Sequence, residues 1–257
     1  MLKSFAPLDP YWVTGFTDAE GCFQIKYSES SQYRLKWRVQ AVFQIKLHER
    51  DLPLLNRIKN FFRVGTLTRA GTEVVYSVKS IKDLAEFIIA HFDSFPLLTK
   101  NSADFELFKQ IVLIMANKGH LNSDSFEKIL SLRANLNLGM SEKLKLAFPD
   151  IIPIARPEIS LKPIANPQWL TGFIDGKGCF HINVQKHLYK INSDRTDKIW
   201  LTFQITQHSR DRLFMESLIK YLDAGRVRDR NYTPTLDFLV NNYNDINSAL
   251  RQNYPFF

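Results

Sequence analysis

Glu20 and Lys177 are the residues whose types and placement invite a chemical reading. Glu20 closes the stretch Thr14-Gly15-Phe16-Thr17-Asp18-Ala19-Glu20-Gly21, and Lys177 closes its near copy, Thr171-Gly172-Phe173-Ile174-Asp175-Gly176-Lys177-Gly178. A carboxylate at the end of a helix lies at the negative end of the dipole, so helix stability does not account for Glu20. Its hard oxygens suit a divalent cation, and two such carboxylates side by side would hold metals for phosphodiester cleavage. Lys177 puts an ammonium where the second acid would stand. A cation suits a helix C-terminus, and it can pair with Glu20 or meet a phosphate.

A second set of residues has the chemistry to read nucleic-acid bases. In the first half the polar members of alternating segments are Gln24, Lys26, Arg34, Lys36, Arg38, Gln40, Gln44 and Lys46, joined by Thr66, Thr68, Ser77 and Lys79 further on. In the second half they are His181, Asn183, Gln185, Lys198, Thr202, Gln204 and Thr206, then Arg226, Arg228 and Arg230. Arginine suits guanine and glutamine or asparagine suits adenine in a major groove. A plain solvated sheet face would mix glutamate with lysine instead.

The elements that position these groups follow from the repeat, which implies two similar halves about a pseudo-twofold axis. Each motif reads as a short helix with Asp9 or Asn166 as N-cap and Pro10 or Pro167 in the first turn. Gly21 and Gly178 are expected to stop the helices. Gly15 and Ala19, like Gly172 and Gly176, are one turn apart, a stripe of small residues that lets the two helices pack closely and brings Glu20 beside Lys177. The period then changes to two. Phe23, Ile25 and Tyr27 share one face, as do Phe180, Ile182 and Val184, so each strand is expected to bury that face. Leu35 to Phe43 and Ile199 to Ile205 repeat the pattern, with Val42 an exception. A helix follows in each half, expected to end at Gly65 or Gly225, and then a strand pair ending near Lys79 or Val240. The first half continues into helices around 103–117 and 123–137, and the proline-bearing stretch 141–163 reads as an extended linker.

A formal charge of +8 and a pI near 9.4 favour a polyanionic partner. Cys22 and Cys179 are too few for a disulfide framework or a four-cysteine zinc site, which points to a reducing compartment. The longest apolar run, 111–116, is far too short to span a membrane, and 1–8 has no obvious targeting character.

The two motifs resemble those of the single-chain LAGLIDADG homing endonucleases, and the resemblance extends over nearly the whole chain. It implies an α+β fold of two pseudo-symmetric α-β-β-α-β-β-α halves whose antiparallel sheets form a nucleic-acid-binding saddle. The halves would be 1–140 and 165–257, joined by a linker at 141–164, with the second shortened at its C-terminus. It further implies that Glu20 is a ligand for Mg²⁺, that Lys100 or its neighbour Asn101 is the basic-residue position near the active site, and that Gln207 organises water. The first-half counterpart of Gln207 is Leu47. Two functions remain open on these residues. One is a cleavage-deficient nucleic-acid binder with an RNA-associated role, in intron splicing or an organellar ribonucleoprotein. The other is a metal-dependent DNA endonuclease or single-strand nickase. Either would be a monomer of mitochondrial or plastid location, as family members are commonly intron-encoded.

Overall fold

The computed structural model describes residues 6–32, 35–118, 122–185 and 198–253, so Arg34 lies outside the described residues. The first half runs α1 (Pro10–Glu20), β1 (Gly21–Glu29), β2 (Trp37–His48), α2 (Leu52–Phe62), β3 (Thr66–Ala70) and β4 (Glu73–Val78). A helical stretch then passes from α3 (Ile81–Asp83) through a π-helical segment, Leu84–Ile89, into α4 (Ala90–Ser94), followed by α5 (Asn101–Ala116), α6 (Ser123–Arg133) and α7 (Glu142–Ala147). The second half runs α8 (Pro167–Lys177), β5 (Gly178–Gln185), β6 (Lys198–His208), α9 (Arg212–Leu222), β7 (Arg226–Asp229), β8 (Thr235–Val240) and α10 (Tyr243–Asn253). Each half holds one four-stranded antiparallel sheet, ordered β1-β2-β4-β3 and β5-β6-β8-β7. The registers match: Phe23 faces Phe43 and Phe180 faces Phe203, while Phe43 faces Val78 and Phe203 faces Val240.

α1 and α8 start as their caps dictate. Asp9 accepts from the backbone N–H groups of Tyr11 and Trp12, and Asn166 from that of Gln168. The helices cross at their glycines. A Cβ on Gly15 would overlap the Trp169 carbonyl oxygen, one on Gly172 would overlap that of Trp12, and one on Gly176 would lie 2.5 Å from the Ala19 Cβ. Backbone thus meets backbone along the pseudo-axis.

Gly21 and Gly178 stop α1 and α8 as expected. Gly21 and Gly178 are extended, at φ −78° and −75°, not left-handed. They are required because a Cβ there would sit 2.7 Å from the carbonyl oxygen of Thr17 or Ile174 as the helix turns sharply into a strand. Gly65 and Gly225, in contrast, do not end α2 and α9. Arg63 (φ 62°) and Asp223 (φ 50°) take the left-handed cap. The glycines follow at φ 85° and 88°, where Tyr76 and Phe238 crowd the backbone. The linker is not a bare strap either. α7 lies within it, and Arg156 is anchored by Asp104 Oδ2 at 2.7 Å.

The expected buried face of β5 is corrected most strongly. Phe180, Ile182 and Ile199 are 57%, 73% and 64% exposed, and Val184 and Leu201 are exposed as well. In the first half α5 and α6 cover the corresponding face: the Phe23 ring packs 5.4 Å from those of Phe105 and Phe108, and Tyr27 packs on Phe126. Among the described residues, no helix does this for Phe180, Ile182 and Val184. Of the apolar residues of β5 and β6, Phe203 and Ile205 are buried, where β6 meets α8.

Candidate nucleic-acid interface

The α1–α8 seam brings Glu20 and Lys177 together. Lys177 Nζ donates to Glu20 Oε1 at 3.0 Å, with the two side chains 29% and 24% exposed. The pair sits at the adjoining C-terminal ends of the two helices, where the lysine is favoured by both dipoles. Of the two terminal residues Glu20 is the acid, and its oxygen is engaged by an ammonium. Among the described residues no group of three or more His, Cys, Asp and Glu side chains is placed to hold a metal ion. This donor set does not fit a paired-carboxylate metal centre.

Lys100 and Gln207 converge on a buried acid that the sequence reading missed. Asp211 Oδ1 accepts from the Lys100 backbone N–H at 2.7 Å, and its Oδ2 accepts from Gln207 Nε2 at 3.2 Å. Burial pushes the Asp211 carboxyl above its ordinary range, against the hydrogen bond from Lys100. Asn101 is otherwise committed. Its Nδ2 donates to the Asp18 carbonyl at 2.9 Å and its Oδ1 accepts from Arg210 at 3.0 Å. That leaves Lys100 as the residue of this pair with an uncommitted side chain among the described contacts. The signal for Asp211 was a second repeated stretch, His48-Glu49-Arg50-Asp51 and His208-Ser209-Arg210-Asp211. Asp51 stays near the surface, whereas Asp211 is wedged between the halves.

Asp18 was also missed. Its carboxylate accepts from Leu98 N at 2.7 Å and from Thr99 Oγ1 at 2.6 Å, which moors the 98–99 loop to α1. Its repeat counterpart Asp175 is exposed and accepts from Trp12 Nε1 across the seam at 2.8 Å.

The polar residues of each sheet share a face, as the registers require. In the first half, Lys26 lies opposite Gln40, Gln44 opposite Ser77, and Ser77 opposite Thr66. Gln24, Arg38, Gln40, Gln44, Thr66 and Thr68 are at least partly accessible, and Lys46 is paired with Glu73 at 2.9 Å. Ser77 is buried, so it supports this face without presenting a group to a partner. Lys36 precedes β2 at φ 58°, and Lys79 follows β4; both are exposed beyond the strands. In the second half, His181 faces Thr202 and Gln185 faces Lys198. Thr202 is buried and accepts from Asn183 Nδ2 at 2.9 Å. Gln204, Thr206, Arg228 and Arg230 gather around Asp237, while Arg226 is exposed opposite Leu239.

Two pseudo-symmetric halves joined at glycine-packed helices, each with a four-stranded sheet carrying a basic polar face, define a class of single-chain double-sheet saddles. The family model for "LAGLIDADG endonuclease" matches residues 13–112 and 170–256, and the chain belongs to that family. A Neurospora crassa protein named "Probable intron-encoded endonuclease 2" is 35% identical over 255 residues, covering 94% of this chain and 54% of that protein. A second protein from the same organism is matched over 46% of its length, so the chain spans about half the length of these curated relatives. Among solved structures, meganuclease I-SmaMI bound to uncleaveable DNA superposes with a TM-score of 0.92 at 37% identity, covering 97% of this chain and 85% of that one. The same protein bound to uncleaved target DNA with calcium ions gives a TM-score of 0.91 at 38% identity, covering 96% and 85%.

Proposed function

We propose that this protein binds duplex DNA across the polar faces of its two sheets, and that it is deficient in double-strand cleavage. The observation that carries the second part is the Lys177–Glu20 ion pair at 3.0 Å, which puts a positive charge where a second metal-binding acid would be. A net charge of +8 supports the first part, together with the sheet faces and the DNA-bound structures that this chain resembles. An RNA-associated role gains no support from the relatives described above. Residual nicking would depend on Glu20, and Lys100 and Gln207 would flank the scission point from their shared anchor, Asp211. Mg²⁺ would be required for any such activity. A monomer acting in mitochondria is the setting that intron-encoded relatives suggest.

The test is a supercoiled plasmid carrying a candidate target, incubated with Mg²⁺ or Mn²⁺ and scored for open-circular and linear forms. A gel-shift comparison of duplex DNA with structured RNA runs beside it. The expected outcome is a DNA shift, no linear product, and at most slow nicking that Glu20→Gln removes. Linear product from the unmodified chain, lost in Glu20→Gln, overturns the cleavage-deficient reading.

A further inference from the structure

Among the described residues, Asp237 is the single acid in the middle of the second half's basic face. Its register partners are Thr206 and Arg228, and the first-half residue at that position is Val75, between Lys46 and Thr68. The carboxylate is 1% exposed, and every donor it receives is a side chain of this face. Arg230 Nε lies 2.8 and 2.9 Å from its two oxygens. Thr206 Oγ1 donates to Oδ1 at 2.8 Å, Gln204 Nε2 reaches the same oxygen at 3.1 Å, and Arg228 approaches Oδ2 at 3.4 Å. Arg230 also donates to Thr206 Oγ1 at 3.0 Å, which closes the network. Burial alone would push the Asp237 carboxyl up. The hydrogen bonds from Arg230 and Thr206 outweigh it and hold the carboxyl below its ordinary range.

An arginine on a sheet surface normally sweeps a large volume, and binding a base costs it that freedom. Here the cost is met on folding. Arg230 spends Nε and one terminal nitrogen inside the network, and Arg228 spends one terminal nitrogen. Their side chains nevertheless remain 42% and 61% exposed, with further N–H donors available. A guanidinium held in this way can present donors to the O6 and N7 edge of guanine but cannot swing out to the phosphates. In the first half Lys46 pairs with Glu73, and Val75 offers no such anchor.

We propose that Asp237 is a positioning residue that sets the base preference of the second half, by aiming Arg228 and Arg230 at guanines in the major groove. This rests on the reading that the sheet meets duplex DNA. Removing the acid should then have two opposite effects. The freed arginines gain phosphate contacts, so affinity for arbitrary duplex holds or rises and the salt dependence steepens. Discrimination at the guanines falls.

The test is selection by the full chain from a duplex library randomised across the second half-site, followed by dissociation constants at several salt concentrations. The unmodified chain should favour guanine at the positions beneath β7 by at least about fivefold each. Asp237→Val should bring that ratio close to one with undiminished overall binding. Arg230→Lys keeps the charge and the acid's partner but loses the fork, and it should lose preference at one position with the salt slope unchanged. Guanine preference that persists in Asp237→Val, or an equal loss of affinity for every sequence, overturns the proposal while leaving DNA binding intact. Absence of any duplex preference in the unmodified chain overturns both this proposal and the function it rests on.

Discussion

Ile25 and Ile182 occupy the same place in the two halves, opposite Ala41 in β2 and Leu201 in β6, yet Ile25 is 4% exposed and Ile182 is 73%. Both strands alternate apolar and polar residues, and both are edge strands of their sheets. The difference lies above them. In the first half, α5 and α6 put phenylalanines on the apolar face, and side chains beyond them finish the edge. Arg133 Nε donates to the Ile25 carbonyl at 3.1 Å, and Asn137 Nδ2 to that of Phe23 at 2.6 Å. An edge strand finished in this way cannot recruit another strand. β5 has the same alternation without that cover among the described residues. Periodicity therefore specifies which face is apolar, while a separate stretch of chain decides whether that face is core.

The largest effect should come from placing a charge on each strand. Ile25→Lys would bury an ammonium in the apolar core of the first half, costing upwards of about 4 kcal/mol and unfolding much of that half. Ile182→Lys places the same charge in solvent and should alter stability by no more than about 0.5 kcal/mol. Urea unfolding of both variants measures the contrast. Equal destabilisation would mean that β5 is covered after all.

The next contrast is Asp18 against Asp175, the same motif letter in two environments. Burial raises the Asp18 carboxyl to about 7, against the hydrogen bonds from Thr99 and Leu98. Between about 4 and 7 the folded chain holds a proton there that the unfolded chain has lost. The Asp18 contribution to stability is thus greatest in acid, and it falls as the pH rises through that window. His91, whose Nε2 lies 3.0 Å from Thr14 Oγ1, has the opposite sign. Burial lowers it to about 4, so its contribution is present above about 6.5 and is lost as the pH falls toward 4. Melting temperatures of the unmodified chain from pH 4 to 7 should therefore vary little from these two groups. Asp18→Asn leaves the His91 effect alone, and stability should then rise by a few kcal/mol across the window. Asp175→Asn keeps an oxygen for Trp12 Nε1 and should cost less than about 1 kcal/mol at neutral pH. A flat profile in Asp18→Asn would contradict the opposing pair.

Much of this architecture is legible in the sequence because the chain states it twice. The capped helices, their small-residue stripes, the succession of helices and strands and the meeting of Glu20 with Lys177 all follow from the repeat. What escaped was set by long-range contact. Asp18 is moored by Leu98 and Thr99, and Asp211 by the backbone of Lys100, all far away in sequence. Asp237 interrupts the apolar run from Leu236 to Val240 opposite Arg228, a visible signal that an alternation count leaves unused. The roles of Gly21 and Gly65 escaped for a related reason. Both were expected to end helices: Gly21 does so while turning the chain straight into a strand, whereas Gly65 follows the end of α2 and lets an aromatic ring approach.

The smallest effect, and the sharpest on the comparison, concerns the helix ends themselves. The Lys177–Glu20 pair is partly exposed, so its direct contribution is roughly 1 kcal/mol or less. Lys177→Glu makes the two motifs alike and replaces attraction with repulsion at the negative ends of both dipoles. In metal-free buffer it should lower the melting temperature by roughly 2–4 °C, the shift expected of about 1 kcal/mol in a chain of this size. Two carboxylates at the seam then offer hard oxygen ligands to one cation, and millimolar Ca²⁺ or Mg²⁺ should recover the loss in proportion to occupancy. The unmodified chain should melt at the same temperature with and without metal, because Lys177 already neutralises Glu20. An equal metal-dependent rise in both proteins would mean that Glu20 binds the cation despite Lys177, and the asymmetry between the motifs would then be one of sequence and not of chemistry.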